Sequence, residues 1–213
     1  MASSSKEEKV VMMVEARKGR LRQRYDDDGY RLVAGCVPYR LLAGGEVEVL
    51  MVSTPNRADL VFPKGGWEED EDVYEAACRE TMEEAGVKGN INRVSLGLWM
   101  FRSKSSQKRS ELAETTTSPS ACRGACKGYI FALEVSDEME AWPEQDTHGR
   151  RWLSPADAFR LSRYDWMREA LAALLDRLLP PPLNAPTSEH AAGVYGLALL
   201  TSAAAADRAV ALC

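Results

Sequence analysis

The hydrophobic rhythm of the chain changes several times, and each change marks an element. From Tyr30 to Tyr39 and from Glu46 to Ser53, Val and Leu dominate runs of strand length, with Ala43-Gly44-Gly45 between them as hairpin punctuation. Leu60-Val61-Phe62 is a short extended piece that meets Pro63 and the Gly65-Gly66 pair, a loop signal. A helix is predicted next: Asp72 and Glu75 have capping-box spacing, and Ala76, Ala77, Thr81 and Ala85 keep one side small enough to pack closely. Gly86 stops it, as a left-handed C-terminal residue does. Further strands are predicted over Arg93 to Phe101 and Gly128 to Val135, around a long polar loop, and a short one at Arg151-Trp152-Leu153. Ser154-Pro155 has the chemistry of a helix start. The last helix runs from about Trp166 to Leu179 on the stripe Met167, Ala170, Leu171, Leu174, Leu175 and Leu178, and Pro180-Pro181-Pro182 ends it.

Residues 1–28 carry no such rhythm and close on the turn-forming Asp26-Asp27-Asp28-Gly29. The expected organisation is a flexible arm over 1–19, one domain over 20–179, and a Pro/Ala-rich flexible tail over 180–213, with a short Ala-rich helix as the alternative for the tail.

Composition changes this picture little: 45% hydrophobic and 28% charged residues are ordinary for a globular protein. No apolar run is long enough for a membrane-spanning helix. The start lacks the apolar core of a secretory signal, and Glu7, Glu8 and Glu15 argue weakly against a transit peptide, so a cytoplasmic protein is expected, with a mitochondrial or nuclear one as the alternatives. The five cysteines do not form a disulfide-framework pattern and fit a reducing compartment. Cys122 and Cys126 make a CxxxC and the chain has two histidines, so zinc is not expected.

Charge is more informative. A net charge of −5 hides basic stretches over 17–24 and 102–127, while acids gather between Glu68 and Glu84. A basic rim around an acidic centre points to a small polyanionic substrate held through metal, not to nucleic acid or membrane, and a monomer is expected. Ordinary solvated loops are the plain alternative for the basic segments.

On the predicted helix, Glu80, Glu83 and Glu84 share one face. Like charges so spaced repel by a few tenths of a kcal/mol per pair in water, so the arrangement suits a hard divalent cation, Mg²⁺ or Mn²⁺. A solvated acidic face is the alternative. The Gly65-Gly66 loop lets backbone approach a ligand, and Arg79 can pair with a carboxylate while Glu71 binds its guanidinium from the entering loop.

The segment resembles the Nudix box. Gly65, Glu71, Arg79, Glu80, Glu83, Glu84, Gly86 and Val87 match at the required spacing, and Thr81 departs where a bulkier aliphatic residue is usual. The resemblance implies an α/β protein, a Nudix-type α/β/α sandwich with a mixed sheet, that cleaves a phosphoanhydride. It implies a metal on Glu80, Glu84 and the Lys64 backbone carbonyl, Glu83 as general base, Arg79 in the catalytic set, and Glu71 and Gly86 as structural members.

Residues outside the box, among them Gln23-Arg24-Tyr25, Lys127-Gly128-Tyr129, Trp142-Pro143-Glu144 and Tyr164-Asp165-Trp166-Met167, resemble the plant diphosphoinositol polyphosphate and diadenosine polyphosphate phosphohydrolase branch. That likeness implies phosphate contacts from Arg31, Ser53 and Lys64, next to the Gly65-Gly66 backbone, with Arg24, Arg57, Arg102, Lys104 and Lys127 as weaker candidates. The alternatives are a hydrolase of another nucleoside diphosphate derivative, of ADP-ribose type, or a Nudix-fold module that binds without catalysis; the latter would be expected to show a broken box.

Overall fold

The computed structural model describes residues 16, 17, 19, 21–102 and 124–178, and the backbone of 210–212. Its strands are β1 (Arg31–Leu41), β2 (Val47–Val52), β3 (Lys64–Gly66), β4 (Val87–Asn92), β5 (Gly97–Arg102), β6 (Ala125–Glu138), β7 (Arg150–Leu153) and β8 (Val210–Leu212). The helices are α1 (Val73–Ala85), α2 (Pro155–Leu161) and α3 (Asp165–Leu178). All the strands join one mixed sheet in the order β7-β2-β1-β6-β4-β8, with β3 on β1 and β5 on β6. The β1–β6 pair is parallel, and the other pairs between these strands are antiparallel.

Alternation along β6 sorts the two faces. Phe131 meets Tyr74 of α1 with ring centroids 5.1 Å apart, so the odd positions face that helix. Cys126 and Gly128 pair with Phe101 and Trp99, whose rings lie against Trp166 of α3, so the even positions face the other way. Helices thus cover both faces, the expected sandwich. Leu50, Phe62, Leu133, Met167 and Leu171 are fully enclosed in the core between these layers. Of the predicted stripe on the last helix, Met167, Ala170, Leu171 and Leu174 are buried, while Leu175 and Leu178 pack half-buried against the core.

The predicted strand over Arg93 to Phe101 is displaced. Strand structure begins at Val87, directly after the helix stop, breaks at 93–96 and resumes at Gly97. Gly89 masks β4 in the sequence: it occupies a buried position where a Cβ would stand 2.0 Å from the Glu134 carbonyl oxygen, so no apolar side chain fits. The loop over 103–123, with Lys104, lies outside the described residues, as do residues 1–15 and 179–209. Of the tail read as flexible, Val210–Leu212 pair with β4. Cys36 is a buried thiol whose pKa burial pushes up to about 12.

Candidate active site

The acidic helix is held at both ends. Asp72 accepts from the amides of Tyr74 and Glu75, and Glu75 returns a carboxylate to the Asp72 amide at 2.8 Å. Thr81 is fully buried with its hydroxyl donating to the Ala77 carbonyl at 2.7 Å, so the departure from the usual aliphatic residue leaves no unsatisfied polar atom. At the other end Gly86 adopts φ 63°, ψ 35°, and its amide bonds the Met82 carbonyl. The last turn carries no basic residue of its own. Arg150 of β7 supplies the cation, donating to the carbonyls of Ala85 and Gly86 at 3.3 and 3.0 Å, and Trp142 donates to the Glu84 carbonyl at 3.1 Å.

Arg79 organises the carboxylates. Its Nε and Nη2 grip Glu71 through two bonds of 2.8 and 2.7 Å, Nη2 also reaches the Gly66 carbonyl at 2.8 Å, and Nη1 bonds Glu80 at 2.8 Å. Glu83 lies 3.6 Å from the same Nη1 with its side chain 3% exposed. Burial alone would lower the Arg79 pKa, but Glu71 and Glu80 raise it, so the guanidinium stays charged. The pairing of loop, arginine and helix is the one the sequence predicts.

The entering loop rests on the segment before β1. Gln23 is buried, donates to the carbonyls of Leu32 and Trp67 at 2.8 and 3.1 Å, and accepts from Arg31 Nε at 2.6 Å. Arg24 donates to the Glu69 carbonyl at 2.9 Å, and its guanidinium lies over the Trp67 ring. Arg17 pairs with Glu68 at 2.7 Å, and its amide is 3.4 Å from both carboxylate oxygens of Glu83.

Gly65 is required by close approach: a Cβ there would stand 1.9 Å from Glu80 Oε2. Gly65→Ala is therefore expected to displace the Glu80 carboxylate and to lower divalent-ion affinity and kcat/KM by about 10–100-fold. Calorimetric metal titration beside steady-state kinetics checks this.

Burial raises the pKa of all three carboxylates: Glu80 to about 7, where Arg79 opposes the shift, and Glu84 to about 8, where Lys64 opposes it. Glu83 moves in the same direction through burial, against Arg79 and the Arg17 amide. A carboxylate whose folded pKa lies above its unfolded value stabilises the fold at low pH, and that contribution is lost as pH rises through the folded value. The metal-free protein is thus expected to lose stability as pH climbs from about 4.5, the ordinary carboxylate value, to about 8, the higher of the folded values of Glu80 and Glu84. Saturating Mg²⁺ or Mn²⁺ should flatten the dependence, as thermal melts across pH with and without the ion will read out. Clustered oxygen donors that bind protons at neutral pH unless a cation neutralises them fit a hard divalent ion.

A cavity of about 200 Å³ opens beside Glu84. Arg31, Lys64 and Gly65 line it, together with Arg102, Arg163 and His148. The Lys64 amide donates to Glu84 Oε2 at 2.9 Å, which puts that residue's backbone against the carboxylate. Gly66 is instead engaged through its carbonyl with Arg79, and Ser53 accepts from the Gly149 amide at 3.0 Å; neither lines the cavity. Among the weaker candidates, Arg57 pairs with Asp59 at 2.7 Å and Lys127 with Asp26.

Sequence reasoning named none of Thr54, His148 and Arg163 as site residues and met Glu144 only in the Trp142-Pro143-Glu144 likeness. Arg163 precedes the quoted Tyr164 motif and bonds Thr54 and Asp59. The available signals were the rarity of histidine and the Glu144/His148 spacing. Burial lowers the His148 pKa, opposed by Glu144 and reinforced by Lys64 and Arg163.

A family model for the NUDIX domain matches residues 29–174. "Nudix hydrolase 12, mitochondrial" of Arabidopsis thaliana is 51% identical over 177 residues, covering 78% of this chain and 82% of the relative. "Nudix hydrolase 13, mitochondrial" of the same plant is 51% identical over 173 residues, covering 76% and 81%. Among solved structures, a C. elegans Ap4A hydrolase binary complex superposes with TM-score 0.50 at 23% identity, covering 69% of this chain and 96% of that one. The NUDIX domain of Shewanella oneidensis NrtR, complexed with ADP ribose, gives 0.52 at 16%, covering 73% and 94%. At those identities the two structures speak for the fold alone.

Proposed function

The chain belongs to the Nudix hydrolase family, and on that premise we propose that its substrate is a highly phosphorylated small molecule, a diphosphoinositol polyphosphate or a diadenosine polyphosphate. As a family member it is a pyrophosphohydrolase that cleaves a phosphoanhydride with a divalent metal ion.

Glu80 and Glu84, with the Lys64 backbone, are the residues to hold that ion. Mg²⁺ or Mn²⁺ bound there lowers the pKa of water and neutralises charge on phosphoryl oxygens. Glu83 removes the proton from the attacking water: it is nearly enclosed, and burial holds its pKa above the ordinary carboxylate value, which strengthens it as a base. Arg79 fixes the carboxylates against one another and against the entering loop.

The observation that supports the substrate class is the lining of the cavity. Arg31, Lys64, Arg102 and Arg163 surround the space next to Glu84, a concentration of cations suited to several phosphates. This favours the diphosphoinositol polyphosphate. Phe101 and Tyr164 also line the cavity and offer an aromatic surface for a base, which supports the diadenosine polyphosphate as the second reading.

Phosphate or nucleotide release, measured with Mg²⁺ on both substrates and on ADP-ribose, is expected to give the highest kcat/KM on a diphosphoinositol polyphosphate. Preference for ADP-ribose would reject the substrate class, and binding without turnover would support the non-catalytic alternative. The cytoplasm expected from the sequence stands against the mitochondrial names of the two Arabidopsis relatives. Imaging a full-length fluorescent fusion decides between the compartments.

A further inference from the structure

The segment between β6 and β7 brings Glu144 and His148 to the end of α1. The Glu144 amide donates to the Glu83 carbonyl at 3.1 Å, and the His148 amide donates to the Glu144 carbonyl at 2.8 Å, closing one turn. That turn brings His148 Nδ1 to 3.0 Å from Glu144 Oε2. One donor atom from each of Glu84, Glu144 and His148 lies within 4.8 Å of the other two. Glu84 and His148 also line the same cavity, which Arg31, Lys64, Arg102 and Arg163 border as well.

We propose that Glu84, Glu144 and His148 together bind a divalent cation, and that the imidazole nitrogen makes this site prefer a first-row transition ion such as Mn²⁺ over Mg²⁺. The inference rests on the reading of α1 as the metal-binding helix and adds a donor of a different kind from a separate part of the chain. Mg²⁺ demands oxygen ligands in near-ideal octahedral geometry and gives up water reluctantly. Imidazole is a ligand for transition ions, so one nitrogen among carboxylates shifts selectivity without abolishing binding of the harder ion. Glu144 has a double place in this set: it is a donor itself, and its contact with Nδ1 orients the ring.

The test uses the full-length, metal-free protein with Mn²⁺ as probe. Pulsed EPR of bound Mn²⁺ is expected to show nitrogen coupling, assignable because the chain contains two histidines. In His148→Ala the coupling should vanish, with Mn²⁺ affinity down about 10–100-fold and Mg²⁺ affinity down less than about 3-fold. Nitrogen coupling absent from the wild-type protein overturns the inference, and that measurement needs no variant to fold. Coupling that survives in His148→Ala, or equal losses for the two ions, overturns it as well. The reading of α1 is tested separately by Glu80→Gln, which leaves Glu84, Glu144 and His148 in place, and it fails if that protein binds Mn²⁺ as tightly as the wild type.

Discussion

Glu83→Gln is expected to lower kcat by about 10²–10⁴-fold, the usual contribution of a positioned general base. The substitution keeps the shape of a side chain that is 3% exposed and removes its capacity to take a proton at neutral pH. The amide can still accept from the Arg17 N–H through its carbonyl oxygen. Metal binding should persist, because Glu80 and Glu84 are untouched. Kinetics beside a calorimetric Mn²⁺ titration separates these effects. A variant that retains kcat within about threefold of the wild type, far short of a general base's contribution, would move the proton to another group.

Arg79→Ala is expected to act on stability as well as turnover. The guanidinium is 11% exposed and Glu71 is 6% exposed, so their two-bond pair sits largely out of water. Removing the arginine leaves Glu71, Glu80 and Glu83 without their common counter-charge. Losing one partner of a buried pair costs about 3–5 kcal/mol. For a protein of this size that is a fall of about 6–20 °C in melting temperature. Glu71→Gln removes the opposite partner, spares the carboxylates of α1, and should destabilise while costing less activity than Arg79→Ala. If the two variants melt together and lose equal activity, Arg79 has no role beyond the pair. Divalent ions should rescue part of the Arg79→Ala loss, since they neutralise the charges left behind.

How much of this was legible in the sequence depended on whether a residue type could serve only one purpose. The borders of α1 were written plainly: Asp72 with Glu75 is a reciprocal cap, and Gly86 occupies a left-handed conformation that favours glycine. The partners Arg79 and Glu71 were equally readable, because their spacing carries a charge pair from loop to helix. β4 was hidden because its packing needs Gly89, and glycine in a run argues against a strand. Ser53 shows the converse difficulty: a hydroxyl that could have met a phosphate holds the Gly149 amide. His148 and Glu144 lie far along the chain from the helix they approach. Their convergence follows from β7 joining β2 at the far side of β1, a long-range pairing that no local pattern encodes.

The buried Gln23 amide ties three stretches of backbone together and also receives Arg31, yet it stands six residues before the family match begins at 29. The unit that inherits the chemistry and the unit that bears the mechanical load are therefore of different lengths. The strap that holds the acidic loop belongs to the segment before that match, so a change at Gln23 would loosen the loop without touching a glutamate.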